Sequence, residues 1–221
     1  MEKRKPHGLM KAGQDLVVAG YAGLAGTRIL IGAKRQELEK RFAASYLERV
    51  FRECEAGICR LGEKEIRARA AEWEPAGEGG ILAALWNLPE AYRAGTEFSL
   101  RRIPLRQGTI EICEYFGLNP YRLYSAGCWL LVSENGGRLV SHLAGQGICA
   151  GVVGSVTEGI ARVVINGGER GFLNRPQPDE LEQVVPDWKK EAMNYEREDF
   201  GSDRKEQQDR YPGSGNSAGG E

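Results

Sequence analysis

Residues 16–21 are a short β-branched run closed by glycine, which predicts a buried strand followed by a loop over 22–26. Thr27 is placed to cap what comes next. From 37 to 54 the apolar residues Leu38, Phe42, Tyr46, Leu47, Val50 and Phe51 recur at steps of three and four with charges between them. That spacing predicts one amphipathic helix, or two broken near residues 43–45. A further helix runs from Ile81 to about Ala94 behind Gly79-Gly80, with Pro89 expected to kink it or end it early. Residues 97–105 alternate like a strand with one wet face, and 107–116 return to helical spacing through Ile110, Ile112, Cys113 and Phe116.

The alternation continues with a strand at 128–132, a helix at 137–146 and strands at 150–156 and 161–165. Asn166-Gly167-Gly168 is a tight-turn signal before an antiparallel partner at 170–173. The pattern is α+β, a mixed α/β arrangement with a mixed sheet packed by helices. From Pro176 the apolar periodicity fades, and 199–221 is polar and Gly/Ser-rich, so an acidic, largely disordered tail is expected over 176–221.

Charge sharpens that division. The 221 residues carry 30 Lys/Arg and 31 Asp/Glu, a net charge of -1, which gives no electrostatic reason to expect a nucleic-acid partner. The balance is uneven: residues 176–221 hold twelve acidic and six basic side chains, leaving 24 basic and 19 acidic before them. The longest apolar runs fall far short of the roughly 20 residues that cross a bilayer, and the basic start is interrupted at Gly13-Gln14-Asp15 before any secretory h-region. No membrane partner and a cytoplasmic address follow as expectations. The five cysteines include no C-x-x-C pair and read as reduced, buried thiols.

Several constellations could carry chemistry. Glu74 to Gly80, Glu-Pro-Ala-Gly-Glu-Gly-Gly, runs into a helix, where glycines let backbone N–H groups approach an anion and the helix dipole favours it. The alternative is a left-handed turn and helix entry with Glu78 complementing the dipole; no Lys-Ser/Thr pair follows to complete a phosphate loop. Ser125-Ala126-Gly127-Cys128 enters an apolar strand, where small residues bring backbone near a ligand or near a helix. Cys128 as a nucleophile would need His7 or His142 as base, a pairing the spacing disfavours. Glu72, Glu74 and Glu78 invite a metal reading but fit a solvated acidic loop better, so no metal ligands and no catalytic residues are assigned. Arg101, Arg102 and Arg106 form a local positive patch able to meet a phosphate.

Taken together, these segments resemble the C-terminal domain of the AIR synthase-like superfamily. That group includes aminoimidazole ribonucleotide synthase, thiamine monophosphate kinase, selenophosphate synthetase and the hydrogenase maturation dehydratase. The look is nearest to clostridial AIR synthase-related, hydrogenase maturation factor-like proteins. The likeness is carried by residues 16–27, Glu78-Gly79-Gly80 with the helix behind it, 103–107, 111–121, 125–131 and 163–167, so that it spans 13–175 after a flexible 1–12. The resemblance implies a phosphate-binding wall at Gly77, Glu78, Gly79 and Gly80, with Ser125 and Gly127 as a second wall.

It also implies departures. Members carry an N-terminal domain that supplies acidic metal-binding residues for Mg-ATP, and the dozen residues before 13 do not correspond to it. Where relatives have a His-Asp or similar pair before the glycines, this chain has Glu74, Pro75 and Gly77, and the change of Asp to Pro removes an acceptor and a backbone donor at once. The expectation is therefore a stand-alone, non-catalytic domain that binds a phosphorylated small molecule or a protein partner. It needs no cofactor of its own, and Mg-ATP would enter only with a partner carrying the missing domain. The alternatives are half of a split ATP-dependent enzyme, with an exposed apolar patch near residues 13–30, a weak homodimer, and a remnant of a truncated gene. The reactive C-terminal cysteine of the maturation dehydratase has no counterpart, since no cysteine follows Cys149.

Overall fold

The structure, a computed structural model, describes residues 10–200. Seven strands form one mixed sheet: β1 (Asp15–Ala19), β2 (Glu72–Ala76), β3 (Gly95–Ser99), β4 (Cys128–Ser133), β5 (Ala150–Thr157), β6 (Arg162–Asn166) and β7 (Glu169–Phe172). Their order across the sheet is β2-β4-β1-β5-β3-β6-β7. The pairs are antiparallel except β3 with β6, so the α+β class expected from the sequence is the observed one.

The helices are α1 (Leu24–Ala33), α2 (Arg35–Leu38), α3 (Ala44–Ala56), α4 (Glu63–Arg67), α5 (Gly80–Tyr92), α6 (Gln107–Phe116), α7 (Gly136–Gly145) and α8 (Trp188–Phe200). β1 lies inside the sheet, between β4 and β5, and is apolar on both faces. Leu16 and Val18 point into a core with α5 and Phe98, while Val17 and Ala19 pack with Ile66, Leu139 and Leu143 on the other face. All four are fully buried, and burial of a Leu or Val side chain contributes about 1.5–3 kcal/mol. A third core lies off the sheet, where α1, α3, α6 and α8 close around Leu30, Leu47, Ile112 and Trp188.

Six expectations need correction. Of the loop expected at 22–26, Ala22 and Gly23 are a turn, while 24–26 are already the first turn of α1, which follows Gly23 at φ +74°. Thr27 sits inside that helix, its hydroxyl donating to the Gly23 carbonyl at 2.8 Å. The small residues there serve close packing: a Cβ on Gly26 would lie 2.4 Å from Leu123 Cγ. The solvated acidic loop is in part the edge strand β2, with Glu72 buried and Pro75 opposite Trp129. An edge tolerates proline, whose missing N–H costs the ladder nothing on the open side.

The strand expected over 97–105 stops at Ser99, and Leu100–Arg102 turns as a 3-10 helix. Pro89 does not end α5 early; it falls in the last turn, and the helix closes at Arg93 with φ +53°. The largest difference is at the tail. Residues 176–195 dock on the body through buried Asp179, Leu181, Val185, Trp188 and Ala192, and the rest of the expected disordered stretch, 201–221, lies outside the described residues.

Candidate functional site

The glycine turn before α5 is built by backbone. Gly79 and Gly80 take φ +77° and +65°, which costs least without a side chain. The chain also passes close: a Cβ on Gly80 would stand 2.4 Å from the Tyr121 carbonyl oxygen. Gly77 accepts from the Gly80 amide at 3.0 Å and from the Ser125 amide at 3.2 Å, so the structure brings Ser125 against the turn. The Ser125 hydroxyl is used within the chain. It accepts from the Gly23 amide at 2.8 Å and donates to the Leu123 carbonyl at 2.7 Å. Gly127 stands apart from the turn, packed on Ile58 and accepting from the Cys59 amide at 3.0 Å.

The anion position of the turn holds the chain's own carboxylate. Asp179 accepts from the Gly79 amide at 2.8 Å through Oδ2, and through Oδ1 from the amides of Leu181 at 3.0 Å and Tyr124 at 3.2 Å. Burial pushes its carboxyl up to about 7, against the pull of the Leu181 and Gly79 amides. Glu78 pairs with Lys189 of α8 at 2.7 Å. Further along α5 the Leu82 and Ala83 amides donate to Tyr121 and Gly79. The residues present do not fit Mg-ATP at this turn. Glu72 is buried on β2, Glu74 is two residues farther along that strand, and Glu78 is held by a lysine, and among the described residues no three His, Cys, Asp or Glu side chains are grouped to hold a metal ion.

A second corner lies at the C-terminal end of β1, where Tyr21 and Cys149 are half-buried and Arg106 is exposed. Gly20 lies between the starts of β4 and β5, its amide donating to the Cys149 carbonyl at 2.8 Å, while a Cβ there would sit 2.7 Å from the Gly127 oxygen. Beside it the exposed Arg106 guanidinium stacks 4.2 Å from the centre of the half-buried Tyr21 ring. A hydrogen bond to Cys149, then partial burial, raises the Tyr21 phenol above its ordinary value, and Arg106 opposes the shift. Arg101 leaves this corner, since its guanidinium lies against Gly167 in the β6–β7 turn. Arg101 and Arg106, five residues apart, thus serve different places.

Four of the five cysteines are buried, and burial pushes Cys59 up to about 11, Cys54 and Cys113 up to about 12, and Cys128 higher still. His142 approaches Glu65 on the α7 side of the sheet. Cys128 therefore has neither the exposure nor the ionisation of a nucleophile.

Sequence reasoning missed Asp179, Tyr21 and Cys149. For Asp179 a signal existed: Leu181, Val184, Val185, Trp188 and Ala192 recur at helical steps after it. Tyr21 and Cys149 had none, because they meet only through the sheet.

No protein-family model matches the chain, nor does any curated protein reach significance. Solved structures do match. The hydrogenase maturation protein HypE of E. coli superposes with TM-score 0.58 at 19% identity over 80% of this chain and 54% of its own. Another HypE structure gives 0.59 at 18% identity over 84% and 60%. Thiamine monophosphate kinase of Aquifex aeolicus gives 0.51 at 19% identity over 74% and 53%. The chain thus spans between half and three-fifths of the structures it matches. HypE and thiamine monophosphate kinase are both AIR synthase-like proteins, and the fold of this chain is the fold that they share.

Proposed function

We propose that this chain is a non-catalytic AIR synthase-like binding domain that takes a phosphorylated small molecule at the corner of Tyr21 and Arg106. The observation that carries this reading is the contrast between the two corners. The Gly79 and Gly80 amides of the turn are engaged by Asp179 and by the Gly77 carbonyl, whereas Arg106 is exposed and lies over an aromatic face. A guanidinium offers paired N–H donors that match phosphate oxygens, and the tyrosine ring supplies an apolar wall for the rest of the ligand. Phosphoryl transfer needs cations and donors clustered around the phosphates, which the scattered Glu72, Glu74 and Glu78 do not provide.

The placement of Gly77, Glu78, Gly79, Gly80, Ser125 and Gly127 favours a supporting role for them: they shape the ground between the two corners. A second reading, half of an ATP-dependent enzyme completed by a protein partner, draws on HypE having been solved with ATP and in a complex with HypF. The exposed apolar side chains open to such a partner are Ile110 on α6, 39% exposed and beside α1, and Ile160 and Phe172, 66% and 74% exposed, beside the outer edge of the sheet.

Calorimetric titration of the full chain with ATP, with Mg or with EDTA, separates these readings. Binding that survives EDTA, forms no ADP and weakens about ten-fold in Arg106→Ala is expected, since a charge-assisted hydrogen bond is worth about 1.5–3 kcal/mol. Metal-dependent binding with ADP release overturns the non-catalytic reading, and no binding overturns the ligand class.

A further inference from the structure

The two edges of the sheet differ. β2 ends it on one side and carries Pro75, which has no N–H to offer, whereas β7 ends it on the other with every residue exposed. The Leu173 amide donates to the Arg162 carbonyl at 2.8 Å. By the alternation of an antiparallel ladder, Glu169 and Gly171 therefore also turn their backbone groups toward β6, and Arg170 and Phe172 turn theirs outward to the unpaired edge. The side chains of Arg170 and Phe172 share one face of the strand. Phe172 is 74% exposed there, and Arg170 reaches Glu97 at 2.7 Å with its own side chain 69% exposed.

We propose that β7 is a homodimer interface, at which two copies of this chain pair antiparallel about a two-fold axis through Gly171 and join their sheets. The strand itself selects that register. Centring on Arg170 would set two guanidinium groups opposite each other, and centring on Phe172 would need Asn174, beyond the end of β7, to pair. Centring on Gly171 sets Arg170 opposite the partner's Phe172 on both sides of the axis, a cation over an aromatic face. The outward amides and carbonyls of these residues then bond to those of the other copy. Gly171 faces its own copy in the closer kind of pair, about 4.5 Å between Cα atoms, and nothing lies within 4 Å of where its Cβ would stand. A strand this short buries less than a standard interface, so the dimer is weak and forms in concentrated solution. This interface is independent of what the Tyr21–Arg106 corner binds.

Cysteine cross-linking of the full chain, with oxygen and copper-phenanthroline as oxidant and the unaltered chain as background, reads the axis directly. Gly171→Cys forms a disulfide-linked dimer, since its two copies lie within disulfide reach. Glu169→Cys stays at background, because its two copies are roughly 13 Å apart along the strands. In the Gly171→Cys chain, Phe172→Lys sets like charges opposite each other and abolishes the cross-link, while Phe172→Glu offers Arg170 a carboxylate and keeps it. No cross-link above background, equal cross-linking at 169 and 171, or loss in both Phe172 variants overturns the interface. Amide NMR of the unaltered chain over a dilution series decides the matter independently of any variant. Concentration-dependent shifts at Arg170 and Phe172 support the dimer, and shifts there that stay constant up to about 1 mM chain overturn it.

Discussion

The turn at Gly79-Gly80 and the corner at Gly20 are made of the same materials and end differently. Each sets positive-φ glycines where backbones crowd, at φ +77° and +65° in one, and at φ +85° for Gly20 with +77° for its neighbour Gly127 in the other. In the first, Asp179 arrives from a hundred residues away and fills the space an anion would take. In the second, Arg106 and Tyr21 stay at the surface. A glycine-rich turn announces that something approaches the backbone closely; a distant residue decides whether that is a ligand or the chain itself.

The sharpest way to break this contrast is to remove what closes the first turn. Trp188 is 2% exposed and meets the Tyr124 ring at 4.9 Å, so Trp188→Ala should cost about 3–5 kcal/mol in urea unfolding. A loss under about 1 kcal/mol would mean that the 176–195 segment does not seal the turn. Next comes Gly80→Ala, which combines positive φ with a clash against the Tyr121 and Leu123 carbonyls and should cost roughly 3 kcal/mol. Gly77→Ala, with open space at its Cβ, is the control and should stay within about 1 kcal/mol.

Smaller effects belong to the Tyr21–Arg106 corner. Arg106→Ala should change stability by no more than about 1 kcal/mol, the worth of an exposed cation–π contact, while weakening ATP binding. A destabilisation well beyond that in thermal unfolding would make Arg106 a structural residue. The least perturbing probe is Cys149, the half-exposed thiol among four buried ones. A thiol reagent should modify one cysteine per native chain, and a ligand at the corner should slow that reaction; rapid labelling of two or more would contradict the burial of the others.

Much of the architecture was legible because burial repeats along the chain. The continuous apolar run of β4 and the three-to-four spacing of α3 and α6 mark the elements without help from distant residues. Where sequence reasoning failed, a local signal was outweighed by a remote one. Gly26 reads as loop yet lets α1 press on Leu123, and the charges of 176–195 read as tail yet alternate with Leu181, Val185 and Trp188 in the core. The candidate site was half legible. The glycines before α5 announce a crowded turn, but nothing near them names Asp179 as occupant, and the meeting of Tyr21, Arg106 and Cys149 depends on β5 pairing beside β1.

The most direct test of the central claim is a map of backbone amide NMR shifts as ATP is added to the full chain in the presence of EDTA. The account predicts shifts centred on Ala22, Arg106 and Ala150, with Gly79 and Ile81 unmoved. Shifts centred on Gly79 and Ile81, with the Tyr21–Arg106 corner silent, would contradict it.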